Sequence, residues 1–474
     1  MLSVSDYGIY SVVGGIVVLL GFITNALVIT TQRYVSFYHG KGEKEVVRQI
    51  FKNSLFLHIL IGLALGFFLL SLRGWLIGDI LNIPPDRKDA ASIVYVIATG
   101  MLLITIITSP FKALLIAREN IIYITIIEIA DSIIKTLIAL SLSFIHADLL
   151  LVYAYMMGGI LVLNLLAFAS YSLIKYEECS ILIRPKDIER KHLKQITGFA
   201  GWTTYGMGAI ATRNQGGAII FNHFHGTAIN AAYGIAFQIF AAISFVVTSI
   251  ANAMNPQIMK AEGRGERELM LSIAGRESKF SVALLALASI PIMVEMPSLL
   301  SLWLTEVPPH TSMFCRFILL AFLCDQFTLG LNTAIQATGN IRTYSLLVYT
   351  PKFIYLPIAW GLLFGGFPIK SAMWVYLIIE CIVAAIRIPY ANHAVGLNPK
   401  KYLKNVILPL LPLCLLSGLA SICCARLMDM NYRFILTFLL STSVGLITGW
   451  FFTLSTHERE YVRNIFNHLR VCFR

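Results

Sequence analysis

Apolar residues fall along this chain in long runs separated by short charged turns. Roughly 20 apolar residues cross a bilayer as a helix. Thirteen runs meet that length, at about 8–30, 54–72, 91–117, 121–145, 149–174, 199–221, 228–253, 278–300, 312–336, 344–364, 371–393, 404–424 and 433–453. The second is short, and the amphipathic stretch after Arg73 extends it towards Leu81. The pattern predicts an all-α polytopic membrane protein.

The pattern also repeats. Tyr7-Gly8-Ile9 opens an apolar run that leads to Gly40-Lys41-Gly42-Glu43-Lys44-Glu45, and Tyr233-Gly234-Ile235 opens another that leads to Gly263-Arg264-Gly265-Glu266-Arg267-Glu268. A second echo follows at nearly the same displacement: Ala117-Arg118-Glu119-Asn120-Ile121 and Ala337-Thr338-Gly339-Asn340-Ile341 each close a span. Duplicated bundles of this kind are typical of transporters, with substrate held between the halves.

Charge orients the spans. Odd-numbered loops are basic: Arg33, Lys41, Lys44, Arg48 and Lys52 in the first, Lys175 to Lys194 in the fifth, Lys260 to Arg276 in the seventh. Even-numbered loops hold few basic residues, among them Arg73, Arg87, Lys88, Lys370, Arg426 and Arg433. Positive loops stay in the cytoplasm, so the odd loops and the C-terminus are inside. Both copies of the repeat then run inward, which makes it parallel, with two lobes around a central cavity. Residue 1 falls outside, just before a span and with no exported leader. A helix upstream of this sequence would resolve that, giving fourteen spans; the alternative is a chain whose N-terminus lies outside. The expected division is an N-terminal lobe at 1–174, a basic cytoplasmic linker at 175–198, a C-terminal lobe at 199–394, and two extra helices with a tail at 395–474. The tail beyond His457 spaces Tyr461, Val462, Ile465, Phe466, Leu469 and Phe473 as an amphipathic helix lying on the inner leaflet.

Composition agrees. Of 474 residues, 57% are hydrophobic and 13% charged, against about 25% charged in soluble domains. The net charge of +12 sits in loops, which suits anionic lipid rather than nucleic acid. Cys179, Cys315, Cys324, Cys381, Cys414, Cys423, Cys424 and Cys472 form no Cys-x-x-Cys pair, so neither a metal site nor a disulfide framework is indicated. The first run lacks the basic leader and small-residue cleavage site of a signal peptide.

Charges inside spans need a reason, since each costs about 2.5–3.5 kcal/mol at a helix centre. Glu128, Asp131 and Lys135 share one helix face, and Asp131 and Lys135 can neutralise each other at i,i+4. They read as a polar stripe lining a cavity, or as an ion pair joining two helices. The span 199–221 carries Arg213, Asn214 and Gln215 amid Gly201, Gly206, Gly208, Gly216 and Gly217, a glycine density that permits close backbone approach. Arg213 suits bidentate phosphate contact; the alternative is that it reaches the outer headgroups. Lys112 follows Pro110, Lys352 follows Pro351, and Asp325, Gln326 and Glu380 lie mid-span. Glu295 and Arg316 read as interfacial. Gln32 and Arg33 sit at an inner helix end, as an anchor or a gate.

Val4-Ser5-Asp6-Tyr7-Gly8-Ile9-Tyr10, Thr31-Gln32-Arg33-Tyr34, Gly198 to Trp202, Asn214-Gln215-Gly216 and Asn255-Pro256-Gln257-Ile258 together resemble the bacterial lipid-linked oligosaccharide flippases. These are the O-antigen and capsule repeat-unit translocases, of the superfamily that also holds multidrug antiporters. The likeness runs through nearly the whole chain without one sharp motif. In that family Asp-Tyr-Gly follows a first transmembrane helix, in keeping with an upstream span. The resemblance implies two six-helix lobes plus two helices, and a cationic cavity for a polyprenyl-pyrophosphate-sugar head. It implies Arg213, Gln215, Lys112 and Lys135 as head-group candidates and Asp131, Glu128 and Asp325 as sites for coupling to H+ or Na+. Gln32, Arg33 and Gln257 are the cytoplasmic gate candidates. Sparse positive charge in the first lobe departs from the pattern.

The reading is therefore a bacterial inner-membrane flippase working by alternating access, with no catalytic residue, cofactor or metal. Its partners would be lipid-linked oligosaccharide, membrane lipids and the polysaccharide polymerase machinery. A cation antiporter would want an acidic cavity, and a glycosyltransferase would want carboxylates or metal ligands in an outer loop, where only Asp79, Asp86 and Asp89 occur.

Overall fold

The structure is a computed structural model that describes residues 4–463, except 82, 185–186, 428–432, 457 and 461–462. The amphipathic tail expected beyond His457 lies largely outside the described residues. Those described form helices and turns with no strand among them. In chain order they are α1 (Val4–Leu19), α2 (Gly21–Gly40), α3 (Lys44–Trp75), α4 (Lys88–Ala117), α5 (Ile121–Ser141), α6 (Leu149–Lys175), α7 (Arg190–His225), α8 (Thr227–Gly263) and α9 (Arg267–Val294). There follow α10 (Met296–Trp303), α11 (Thr311–Gln326), α12 (Leu329–Ala337), α13 (Arg342–Phe364), α14 (Ile369–Val395), α15 (Pro399–Tyr402), α16 (Leu408–Leu427) and α17 (Arg433–Thr448).

Each of the thirteen apolar runs lies on helix. Among the described residues, nine helices are long and apolar enough to cross a membrane, or ten if α11 and α12, bent by 48°, count as one broken span. The second run continues to Ile80 through a π-helical turn. α5 and α7 fall short of that test because they carry the charges and polar residues noted above. Large apolar side chains such as Phe67, Ile122 and Ile174 stand exposed, which fits lipid rather than water as the surrounding solvent.

The chain divides into two compact units, residues 1–211 with 259–265, and 212–258 with 266–474. The division lies within α7 and near the end of α8. The core of the first unit gathers Ile9, Val13, Leu27, Leu69, Val94, Tyr95 and Leu150. The Tyr95 hydroxyl, buried there, donates to the Leu69 carbonyl at 2.9 Å. Asp148 caps α6, accepting from the amides of Leu150 and Leu151 at 3.1 and 3.4 Å. Arg87 bridges this carboxylate to Asp6, and its hydrogen bond holds Asp148 below the usual carboxylate range.

The repeated turns adopt the same backbone. Gly42 and Gly265 both have φ of 78°, and Glu119 and Gly339 have φ of 61° and 82°. Only glycine enters this left-handed region freely. The first glycine of each Gly-x-Gly turn serves another purpose. A Cβ on Gly40 would lie 2.3 Å from the Lys260 carbonyl oxygen, and one on Gly263 would lie 2.1 Å from that of Phe37. The end of α8 therefore packs backbone-to-backbone on the end of α2 inside the first unit.

Candidate functional site

In the second unit, charges from four helices meet in the interior. α14 places Tyr376, Glu380 and Arg387 on one face at i, i+4 and i+11. Glu380 receives Arg213 from α7 and, from α13, Lys352 Nζ at 2.6 and 2.8 Å to its two oxygens. The Arg213 guanidinium lies 4.1 Å from the Tyr376 ring centroid and donates to its hydroxyl at 2.7 Å. A further donation reaches Asn214 Oδ1 at 3.2 Å. Arg213, Lys352, Glu380 and Arg387 are each about 95% buried or more.

Arg387 closes the break between α11 and α12. Its Nη1 donates to the Asp325 carboxylate at 2.7 Å and reaches the Asp325 carbonyl at 3.4 Å and Thr328 Oγ1 at 3.3 Å. A broken helix leaves carbonyls unpaired, and irregular backbone at membrane depth survives only where protein satisfies it. A cation at the C-terminal end of α11 also complements the helix dipole. Counted together, Arg213, Lys352 and Arg387 outnumber Glu380 and Asp325 by one positive charge.

The glycines of α7 let side chains in. A Cβ on Gly216 would lie 2.7 Å from Leu356, and one on Gly217 would lie 2.9 Å from the Tyr233 hydroxyl. α7 remains one unbroken helix. Arg213 points into the second unit, while Gln215 is exposed on another side of the helix. Arg213 and Gln215, the two head-group candidates on α7, therefore do not share a face.

In the first unit, α5 presents two exposed faces. Ile122, Ile126, Ile129, Ile133 and Leu137 form an apolar one. On the other, Asp131 and Lys135 pair at 2.7 Å, as their i,i+4 spacing requires, and Asn164 of α6 donates to Asp131 at 2.7 Å. Lys112 of α4 meets Glu128 at 2.7 Å. Lys112, Glu128 and Lys135 keep a third to a half of their side-chain surface open. Charges within a span are costly unless paired, and here each of them has a partner of opposite charge.

Of the gate candidates, Gln32 and Arg33 are buried in the first unit, and Arg33 stacks on Tyr34 and Phe37 at 4.4 and 4.7 Å. Gln257 is exposed in the second unit. Nearby in the first unit, Lys260 pairs with Glu119 at 2.5 Å, and Arg118 binds Glu178 and donates to His39 Nε2 at 3.0 Å. Burial, with Arg118 and Lys260 beside it, lowers the His39 imidazole to about 4. Glu295, read from sequence as interfacial, is buried and takes Arg433 at 2.9 and 3.0 Å and Thr437 at 2.9 Å. Arg387 and Asn164 escaped the sequence reading. Arg387 had a signal, lying two helical turns beyond Glu380.

Solved structures with this arrangement of helices carry it at low sequence identity. One is an outward-facing multidrug resistance MATE family transporter of the MOP superfamily, with TM-score 0.72 and 13% identity over 83% of this chain and 89% of that one. The fold is that of the MATE transporters. A MATE in complex with MaL6 matches at TM-score 0.71 and 13% identity, over 83% and 93% of the two chains. A MOP superfamily transporter from Pyrococcus furiosus, described by the reverse polarity of its binding pocket, matches at TM-score 0.69 and 13% identity, over 83% and 92%. No family model and no curated protein sequence matches the chain. Within the MATE fold, the ion cluster on α7, α13 and α14 and the polar face of α5 are the candidate working parts.

Proposed function

We propose that the protein is a secondary transporter that moves a lipid-linked oligosaccharide across a bacterial cytoplasmic membrane by alternating access, with its C-terminus in the cytoplasm. The MATE fold supports transport. The observation that favours an anionic head group is the buried cluster of Arg213, Lys352 and Arg387 against Glu380 and Asp325, one cation in excess. An uncompensated buried cation attracts an anion such as a pyrophosphate. Lys112 and Lys135, on the part-exposed polar face of α5 and α4 in the first unit, supply further positive charge, with Glu128 and Asp131 as the acidic partners for ion coupling. The second reading is a multidrug antiporter, favoured by the multidrug resistance transporter among the structural neighbours.

Proteoliposomes holding a fluorescent polyprenyl-pyrophosphate oligosaccharide separate the two. The protein is expected to carry the sugar to the opposite leaflet, read by its accessibility to a glycosidase, and to leave ethidium unmoved. Ethidium exchange without lipid movement would favour the antiporter. Within the first reading, Arg213→Ala is expected to slow flipping at least tenfold.

A further inference from the structure

Glu277 lies in α9, fully buried, and among the described residues no hydrogen-bond partner reaches either of its carboxyl oxygens. The charged groups around it are engaged elsewhere or exposed. On α9 itself, Arg276 is exposed and donates to Ser272, and Lys279 pairs with Glu458 at 2.5 Å. α14 and α11 contribute the Arg387–Asp325 pair, and Arg316 of α11 is exposed and bonded to backbone. α15 contributes Tyr402, whose hydroxyl donates to the Phe327 carbonyl at 2.7 Å. Lys404, in the turn after α15, and Arg426 of α16 are exposed, and Arg433 of α17 is bound to Glu295.

A polar group beside Glu277 is Thr333 of α12, brought in where Gly330 lies so close to α9 that a Cβ would stand 1.8 Å from the Ala274 carbonyl oxygen. The Thr333 hydroxyl donates to Asn255 Oδ1 at 2.9 Å. An amide oxygen only accepts, so a Thr333 hydroxyl proton engaged by Asn255 leaves its lone pairs for Glu277. A carboxylate there would face lone pairs, whereas a carboxylic acid supplies a donor for them. We infer that Glu277 is a proton-binding site, and that its proton completes a chain from Glu277 through Thr333 to Asn255. Loss of the proton frees Thr333 to turn towards the carboxylate and release Asn255. That residue immediately precedes Pro256, and the chain passes into the first unit three residues later, at Met259. The proton would thus act on the part of α8 that joins the two units. This assignment rests on the geometry of the second unit, so failure of the lipid-flipping assay leaves it standing.

Infrared difference spectroscopy of the full-length protein in lipid nanodiscs tests it. At pH 7 the wild type is expected to show a protonated carboxyl carbonyl band that shifts in D2O and is missing from Glu277→Gln, with elution and thermal unfolding unchanged. Should Glu277→Gln not fold, Glu277→Asp is expected to keep the band at a displaced frequency. Thr333→Val, which removes the acceptor, is expected to move the band to higher frequency. The inference is overturned by a wild type without the band, by a band that survives in Glu277→Gln, or by a band unmoved in both Glu277→Asp and Thr333→Val. It is equally overturned by a band abolished when Na+ replaces choline at constant pH, which would make this a sodium site.

Discussion

Gly263 lies so close to the Phe37 carbonyl that a Cβ would stand 2.1 Å from its oxygen, and Gly40 meets Lys260 in the same way. Neither backbone can yield as a flexible side chain would. Gly263→Ala and Gly40→Ala are each expected to cost about 1–3 kcal/mol from overpacking, measured as a lower thermal unfolding midpoint in detergent. Unchanged midpoints in both would show that the contact is not formed in solution.

Glu119 holds a left-handed conformation that its counterpart Gly339 reaches freely, yet its carboxylate takes Lys260 at 2.5 Å. Glu119→Gln keeps the strain and loses the charge pair, which at a partly exposed site is worth under about 1 kcal/mol. Glu119→Gly loses the pair but relieves roughly 1 kcal/mol of strain. Chemical denaturation is therefore expected to rank Glu119→Gly at or above Glu119→Gln in stability.

Glu380 serves two cations at once. Glu380→Ala strands Arg213 and Lys352 and is expected to destabilise the second unit by about 3–5 kcal/mol, as buried pairs do when one partner is removed. Adding Lys352→Met removes one stranded charge, so the double variant is expected to be more stable than Glu380→Ala alone. A strictly additive double-mutant cycle would deny the coupling.

His39, at the end of α2 beyond its apolar stretch, is lowered from 6.5 to about 4. Above pH 6.5 the imidazole is neutral folded or unfolded, and its contribution is complete. As pH falls from 6.5 towards 4, the unfolded chain takes up a proton that the folded chain refuses, and stability is lost over that window. His39→Asn keeps an acceptor for Arg118 without titrating. The fall in unfolding midpoint between pH 7 and pH 4.5 is expected to be smaller in this variant than in the wild type.

The sequence made legible whatever is local. Hydropathy located the runs that become helices, and i,i+4 spacing paired Asp131 with Lys135. Partners on different helices were hidden. Arg213 was visible as a costly charge, but its burial against Glu380 depends on how α7, α13 and α14 pack. Lys112 gave no sign that it would meet Glu128. Glu277 sits in a segment that also holds Arg267, Arg276 and Lys279, and its seclusion from all three follows from the orientation of α9.

The contact of Gly40 with Lys260 and of Gly263 with Phe37 is reciprocal. In the register of the repeat, Phe37 corresponds to Lys260 and Gly40 to Gly263, so each copy offers the other the same two positions. That is the signature of an isologous surface, in which residue i meets j and j meets i. An ancestral half-length protein bearing this turn would have possessed a self-complementary face and paired with its twin through it.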